Sequence, residues 1–306
     1  MCFRLMSVLG SGFVKMIRDA VVAGQFYSGT EKTLRKQIEQ CFLEKRGFGT
    51  IPVVKKQGEN IKGIVVPHAG FIYSGAIASH AYGRLAQEGF GETFIILGPN
   101  HTGMGSGVSV MTEGSWKTPL GVVPIDESVA TALVTGIIDQ DSTAHTYEHS
   151  IEVQLPFLQF IAQNRDFSFV PLCMMMQDYE TAWEVGGLLA NFIATSQKKI
   201  ILIASSDFSH AGFNYHSRPP PGMRVDEYAK KQDELALKEI LALDPRKLID
   251  TVEEHGITMC GYGPVAAMLV AAKKLGVRRA ELLKYGTSYE VQPGSSCVGY
   301  GAIVVS

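Results

Sequence analysis

Three histidines share one sequence setting. His68 follows an apolar, β-branched run in KGIVVPHAG, His101 does the same in FIILGPNH, and His210 does so in ILIASSDFSH, with Asp207 three residues before it. Each run predicts a buried strand, and each histidine sits just past its carboxyl end among Gly, Pro, Asn or Ser, which make sharp turns. In open α/β sheets the crevice outside those ends is where ligands bind. Residues far apart in sequence then meet, and imidazoles that meet can hold a metal or move a proton. The plainer reading, three unrelated polar loop residues, does not explain the matching contexts.

A fourth candidate is Cys260 in ITMCGYGP, before Gly261, Gly263 and Pro264, at an expected helix start. A thiol there is expected to have a lowered pKa, since helix N-termini favour the thiolate. A thiolate is both a nucleophile and a metal ligand; the bland alternative is a buried, inert thiol. Glu148 and His149 in AHTYEHSIEVQLP open another expected helix, either as simple capping or as groups that orient the histidines. His80 reads as a packing or surface residue of a helix. His145, His216 and His255 lie in polar stretches and are expected to be solvated. Cys41, in a helix, and Cys173 and Cys297, in strands, read as structural.

The elements that must position these groups alternate along the chain. Helices are expected over Thr30–Lys45, Ser74–Gln87, Asp126–Thr135, Ser150–Gln163 with a bend at Pro156, Tyr179–Thr195, Asp226–Ala242, Pro245–Glu254 and Gly263–Leu275. Strands are expected over Ile61–Val66, Thr93–Leu97, Gly107–Thr112, Gly121–Pro124, Phe167–Leu172, Lys199–Ala204, Leu282–Tyr285 and Val298–Val305. Continuous apolar strands alternating with helices imply an α/β sheet covered on both faces. Tyr215–Met223, with three consecutive prolines, reads as a lid or surface loop. The chain shows no linker, so residues 16–306 are expected to form a single domain. Residues 1–15 read as an extension, with translation starting at Met16, rather than as a signal peptide.

Composition excludes whole classes. Of 306 residues 46% are hydrophobic, and 28 Lys and Arg face 30 Asp and Glu, for a net charge of −2. That is too apolar and too nearly neutral for a disordered chain, and it lacks the basic excess of a nucleic-acid binder. No apolar run reaches the length of a membrane helix. Five cysteines without a CxxC pair fit reduced thiols in a cytoplasmic protein rather than disulfides or a zinc ribbon. No GxGxxG after a strand, no P-loop and no GxSxG elbow occurs, so no nucleotide cofactor or serine hydrolase is expected.

The runs AVVAGQFYSG, VVPHAGFIYSGAIASHAY, FIILGPNH, EHSIEVQLPFLQ, ASSDFSH, CGYGPVAAML, YGTSYEV and SCVGYGAIV resemble the Memo family, from about Ala20 to Val305. The resemblance implies a three-layer α-β-α fold with a central mixed sheet, similar to the class III extradiol dioxygenases. It implies a pocket of His68, His101, His210 and Cys260. By analogy His68 and His101 would be imidazole ligands, and His210 an acid–base group or third ligand. Asp207, Glu148 and His149 would support them. The resemblance also implies association with an AMMECR1-like protein and a radical SAM protein.

Departures limit the analogy. The dioxygenases use glutamate where this chain has Cys260, and a thiolate shifts preference toward copper, zinc or a redox-active iron site. Some relatives have a second histidine where this chain has Thr102. Tyr262 replaces an arginine, so anion recognition does not carry over. The expected function is a metal-binding redox protein, with iron first, copper next and zinc third. The alternatives are a non-catalytic adaptor for a peptide or partner, and a metal-free cysteine hydrolase using Cys260 and His210.

Overall fold

The computed structural model describes residues 3–5, 16–55 and 61–306. Cys2 and most of the expected 1–15 extension lie outside the described residues. In chain order, β1 (Phe3–Leu5), β2 (Met16–Arg18) and α1 (Glu31–Leu43) lead to β3 (Gly63–Val66), α2 (Phe71–Glu88) and β4 (Thr93–Pro99). Then come β5 (Val108–Val110), β6 (Ser115–Thr118), β7 (Gly121–Pro124), α3 (Glu127–Ala132) and β8 (Asp139–Gln140). Next are α4 (Leu155–Ala162), β9 (Ser168–Met174), α5 (Tyr179–Thr195), β10 (Ile200–Ser205) and β11 (His210–Gly212). The chain closes with α6 (Val225–Leu241), α7 (Pro245–His255), α8 (Tyr262–Lys274), β12 (Ala280–Thr287) and β13 (Ser296–Val305).

The main sheet runs β11-β13-β3-β10-β4-β9-β5-β8, with β12 paired to β13; β1, β2, β6 and β7 form a smaller sheet. The central strands β3, β10, β4 and β9 are mutually parallel, and β13 and β5 flank them antiparallel. These four strands are buried along nearly their whole length, which explains their unbroken apolar sequences. The connection β3-α2-β4 steps one way along the sheet and β9-α5-β10 steps back. Right-handed crossovers therefore place α2 and α5 on opposite faces. α1 and α4 pack with α2, while α8, α7 and α6 continue the layer begun by α5.

Two local readings change. Pro156 does not bend a long helix. A 3₁₀ turn covers Glu152–Gln154, and Pro156 occupies the first turn of α4, where its missing N–H costs nothing. The short strands β2, β6, β8 and β11 escaped the pattern because two to four residues carry too little periodicity.

Register sets the functional edge. Val66 pairs with Ser205, Ala204 with Leu97, and Gly98 with Cys173. The carboxyl ends of β3, β10 and β4 therefore stop level with one another. β10 lies between the other two, so Ser205 stands beneath the turns that carry His68 and His101.

Candidate metal centre

His68 and His101 turn toward each other across the end of β10, with ring centroids 5.1 Å apart. His149 joins them, stacked on His101 at 4.8 Å and edge-on to His68 at 5.5 Å. Cys260 closes the group, its Sγ 3.2 Å from His68 Nε2. The ligand atoms of His68, His101 and Cys260 all lie within 4.8 Å of one another. His101, Glu148 and His149 form a second such group.

Hydrogen bonds fix which nitrogen each ring presents. Ser205 Oγ donates to Ser150 O at 2.7 Å and accepts from Gln154 Nε2 at 2.8 Å. Having spent its proton, it accepts from His68 Nδ1 at 2.9 Å. His101 Nδ1 donates to the Glu148 carboxylate at 2.9 Å, and His210 Nδ1 donates to Thr258 O at 3.0 Å. All three rings thus carry the proton on Nδ1 and offer the Nε2 lone pair. Metal-bound histidines are oriented in this way by an oxygen acceptor.

Glu148 is buried and accepts from the amides of His101, His149 and Ser150 as well as from the His101 ring. Burial raises its pKa, but the His101 hydrogen bond and the charges of His101 and His149 outweigh this and hold it down at about 2. Burial would lower His101; Glu148 overcomes it and raises the ring instead. His68 goes the other way, pushed well down by burial and then by the charges of His101, His149 and His210.

Cys260 departs from expectation. It lies before α8, whose N-cap is Gly261, yet its thiol is pushed up, first by burial and next by Asp207. The cause is its depth. Gly261 sits so close to the end of β10 that a Cβ there would stand 2.5 Å from Ser205 O. The Asp207 amide points at Sγ from 3.3 Å. A residue absent from the sequence reading, Gln177, grips the loop from outside: its Nε2 donates to Cys260 O and its Oε1 accepts from Gly263 N, both at 2.9 Å. A polar residue at the end of an apolar strand, as Gln177 is after β9, was the only available signal.

The other expected groups have varied placements. His210 lines the same cavity but belongs to neither close-set group. Asp207 orients no ring; its Oδ1 accepts from the His68 and Ala69 amides at 2.8 and 3.3 Å. His149 lines the cavity beside His101. His145, expected in solvent, is fully buried against Trp116. Its backbone carbonyl accepts from Arg18, which draws this segment inward, and burial together with Arg18 lowers the ring to about 3. His216 and His255 are exposed.

The cavity over the centre has a volume of about 590 Å³. Its far wall is the loop from Ser288 to Ser296, together with Tyr215 and Tyr300, and no Lys or Arg among the described residues lines it.

Residues 18–304 match a protein family described as Memo-like protein. A MEMO1 family protein of Methanopyrus kandleri is 46% identical over 292 residues, covering 94% of this chain and 99% of the relative. One from Methanococcus maripaludis strain C5 is 47% identical over 298 residues, covering 95% and 100%. The solved structure of an uncharacterized protein, JW3007 of Escherichia coli K12, aligns with a TM-score of 0.54 at 16% identity, over 79% of this chain and 99% of that one. That likeness concerns the fold, an α/β architecture with a large mixed sheet flanked by helices. No helix among the described residues is long and apolar enough to cross a membrane.

Proposed function

This chain belongs to the Memo-like protein family, and from that premise we propose that it is a redox protein that holds one metal ion, iron or copper, between His68, His101 and Cys260. The observation that carries the reading is the set of two imidazoles and one thiol with ligand atoms within 4.8 Å, the Nδ1 of both rings already committed to oxygen acceptors.

The residues present fit a metal. Two borderline nitrogens and a soft sulfur suit copper, zinc or a thiolate-ligated iron better than magnesium or calcium. Among the described residues three donors would hold the ion, one fewer than a closed structural zinc site uses. When bound, such an ion supplies Lewis-acid and one-electron chemistry. Glu148 and Ser205 keep His101 and His68 in the ligating tautomer. Cys260 would hold such an ion as a thiolate, its proton released to solvent on binding. His210, fixed through Nδ1 to Thr258 O, presents Nε2 to the cavity as the group that accepts or returns a substrate proton.

The thiol's upward shift favours this reading over a metal-free cysteine hydrolase, which needs a thiolate at rest. The absence of Lys and Arg from the cavity wall among the described residues disfavours a phosphopeptide adaptor. Kinship to the extradiol dioxygenases, and an AMMECR1-like or radical SAM partner, belong to the same proposal; pull-down with the purified partners tests the latter. The main test is metal content by mass spectrometry after anaerobic reconstitution with iron or copper. Wild type should retain about one equivalent and the His68→Ala/His101→Ala double variant almost none. Equal, poor retention by both ends the metal reading.

A further inference from the structure

We infer that the cavity over the metal centre binds a molecule through a protonated amine, received by the carboxylate of Asp207. The inference rests on the same cavity being the functional site, but on none of its metal ligands.

Asp207 is 3% exposed and lines the cavity. Its Oδ1 is occupied by the His68 and Ala69 amides, and no described residue donates to its Oδ2. Oδ2 is not fully buried: it opens on the cavity that Asp207 lines, where a donor carried by a ligand can reach it. That ligand is not the metal proposed above, because Asp207 belongs to neither close-set group of donor atoms.

The surroundings fit a cation. Tyr215 and Tyr300 line the same cavity as Asp207. Phe26 and Tyr73 add two further rings to the lining. Aromatic faces attract ammonium groups, and the bare Nε2 of His210 adds an acceptor on the same wall. An ammonium carries three N–H donors and no acceptor, which matches this excess of acceptors. With no Lys or Arg among the described residues on the wall, a carboxylate or phosphate on the same ligand would find no permanently charged side-chain counter-ion. The class indicated is therefore an amine without a free acid group, with an apolar or aromatic body of a size for the 590 Å³ volume.

The test compares two probes of one shape and opposite charge, phenethylamine and hydrocinnamate, by calorimetry on the purified full chain at neutral pH, with metal content measured in each sample. Wild type should bind phenethylamine saturably and hydrocinnamate not at all. Asp207→Asn keeps an oxygen for both amides and should weaken the amine at least about tenfold. The exposed Tyr215→Leu, which leaves the carboxylate in place, should weaken it by about twofold to fivefold. Equal binding of the two probes, or undiminished amine binding by both variants, overturns the inference. The His68→Ala/His101→Ala variant separates the two proposals: lost metal with retained amine binding supports both, and retained metal with no amine binding in wild type sinks this one alone.

Discussion

Two polar clusters, one fully buried and one open to the cavity, stand side by side in this fold, and they are built on opposite principles. In the first, Arg18 at the end of β2 donates to Glu152 at 2.7 Å and to the carbonyls of His145 and Glu148, with its guanidinium 3.9 Å above the Trp116 ring. Glu152 also accepts from Tyr27 and from the amides of Val21 and Val22. Every charge meets its opposite, and both side chains are fully buried. In the second, His68, His101, His149 and Cys260 bring three basic rings and a thiol within contact of one another. There burial, and then the neighbouring histidines, depress His68, and burial raises the thiol. The first cluster is complete in itself and can only be scaffold. The second gathers donor atoms that suit a cation: His68 is held away from protonation, while Glu148 favours the charged form of His101. The segment 145–154 joins them: its one end is pinned by Arg18, and Glu148 then orients His101.

The largest effect that could break this contrast is on stability. Arg18→Met leaves Glu152 buried without its counter-ion and should cost about 3–5 kcal/mol, read by urea unfolding. His149→Ala, in the other cluster, should cost less than about 1 kcal/mol. If the two losses are equal, the distinction between scaffold and site fails.

Acid titration of stability sharpens the contrast at the junction. Glu148 is depressed from 4.5 to about 2 in the fold. Its contribution is thus complete above about pH 4.5 and is lost as pH falls through about 2. It amounts to something on the order of 3 kcal/mol at 1.36 kcal/mol per pH unit. His101 is raised in the fold, so its contribution is complete below its ordinary value and is lost as pH rises through the raised one. Stability from the pair therefore peaks between the two limits, and Glu148→Gln should flatten both limbs. An unchanged acid limb in that variant would assign the low-pH loss to other carboxylates.

A smaller effect isolates the loop that carries the thiol. Gln177→Met removes both bonds that hold Cys260 from outside and should weaken metal binding by about 10–100-fold while the melting temperature stays nearly constant. Gln177→Glu, which keeps the acceptor for Gly263, should recover part of the loss. A fall in melting temperature with unchanged affinity would make Gln177 a fold residue only. The smallest effect is a control far from either cluster. Asp178 caps α5 by accepting from the Thr181 amide at 2.9 Å. Asp178→Ala should cost about 1 kcal/mol and leave metal binding alone.

How much of this was legible in the sequence follows from the range of each interaction. The parallel core announced itself because its strands are buried on both faces, and His68 and His101 were recognisable from where those strands end. Cys260 was expected at a helix start, and it stands just before α8. Its thiol shift was mistaken because a helix start says nothing about how deeply Gly261 lets the loop approach β10. Arg18 gave no local signal, and Gln177 only its polar type after an apolar strand, since their partners lie more than 80 residues away. His145 reads as polar in sequence and is buried only because Arg18 reaches its carbonyl from β2.

The central claim, that Cys260 and two histidines form one metal site, is tested most directly by anaerobic titration with Co(II), following the near-ultraviolet band of thiolate-to-metal charge transfer. The band should grow to saturation at about one equivalent in wild type, and it should vanish in Cys260→Ser and weaken sharply in His68→Ala. A titration without the band, or a band that Cys260→Ser leaves intact, would contradict the account.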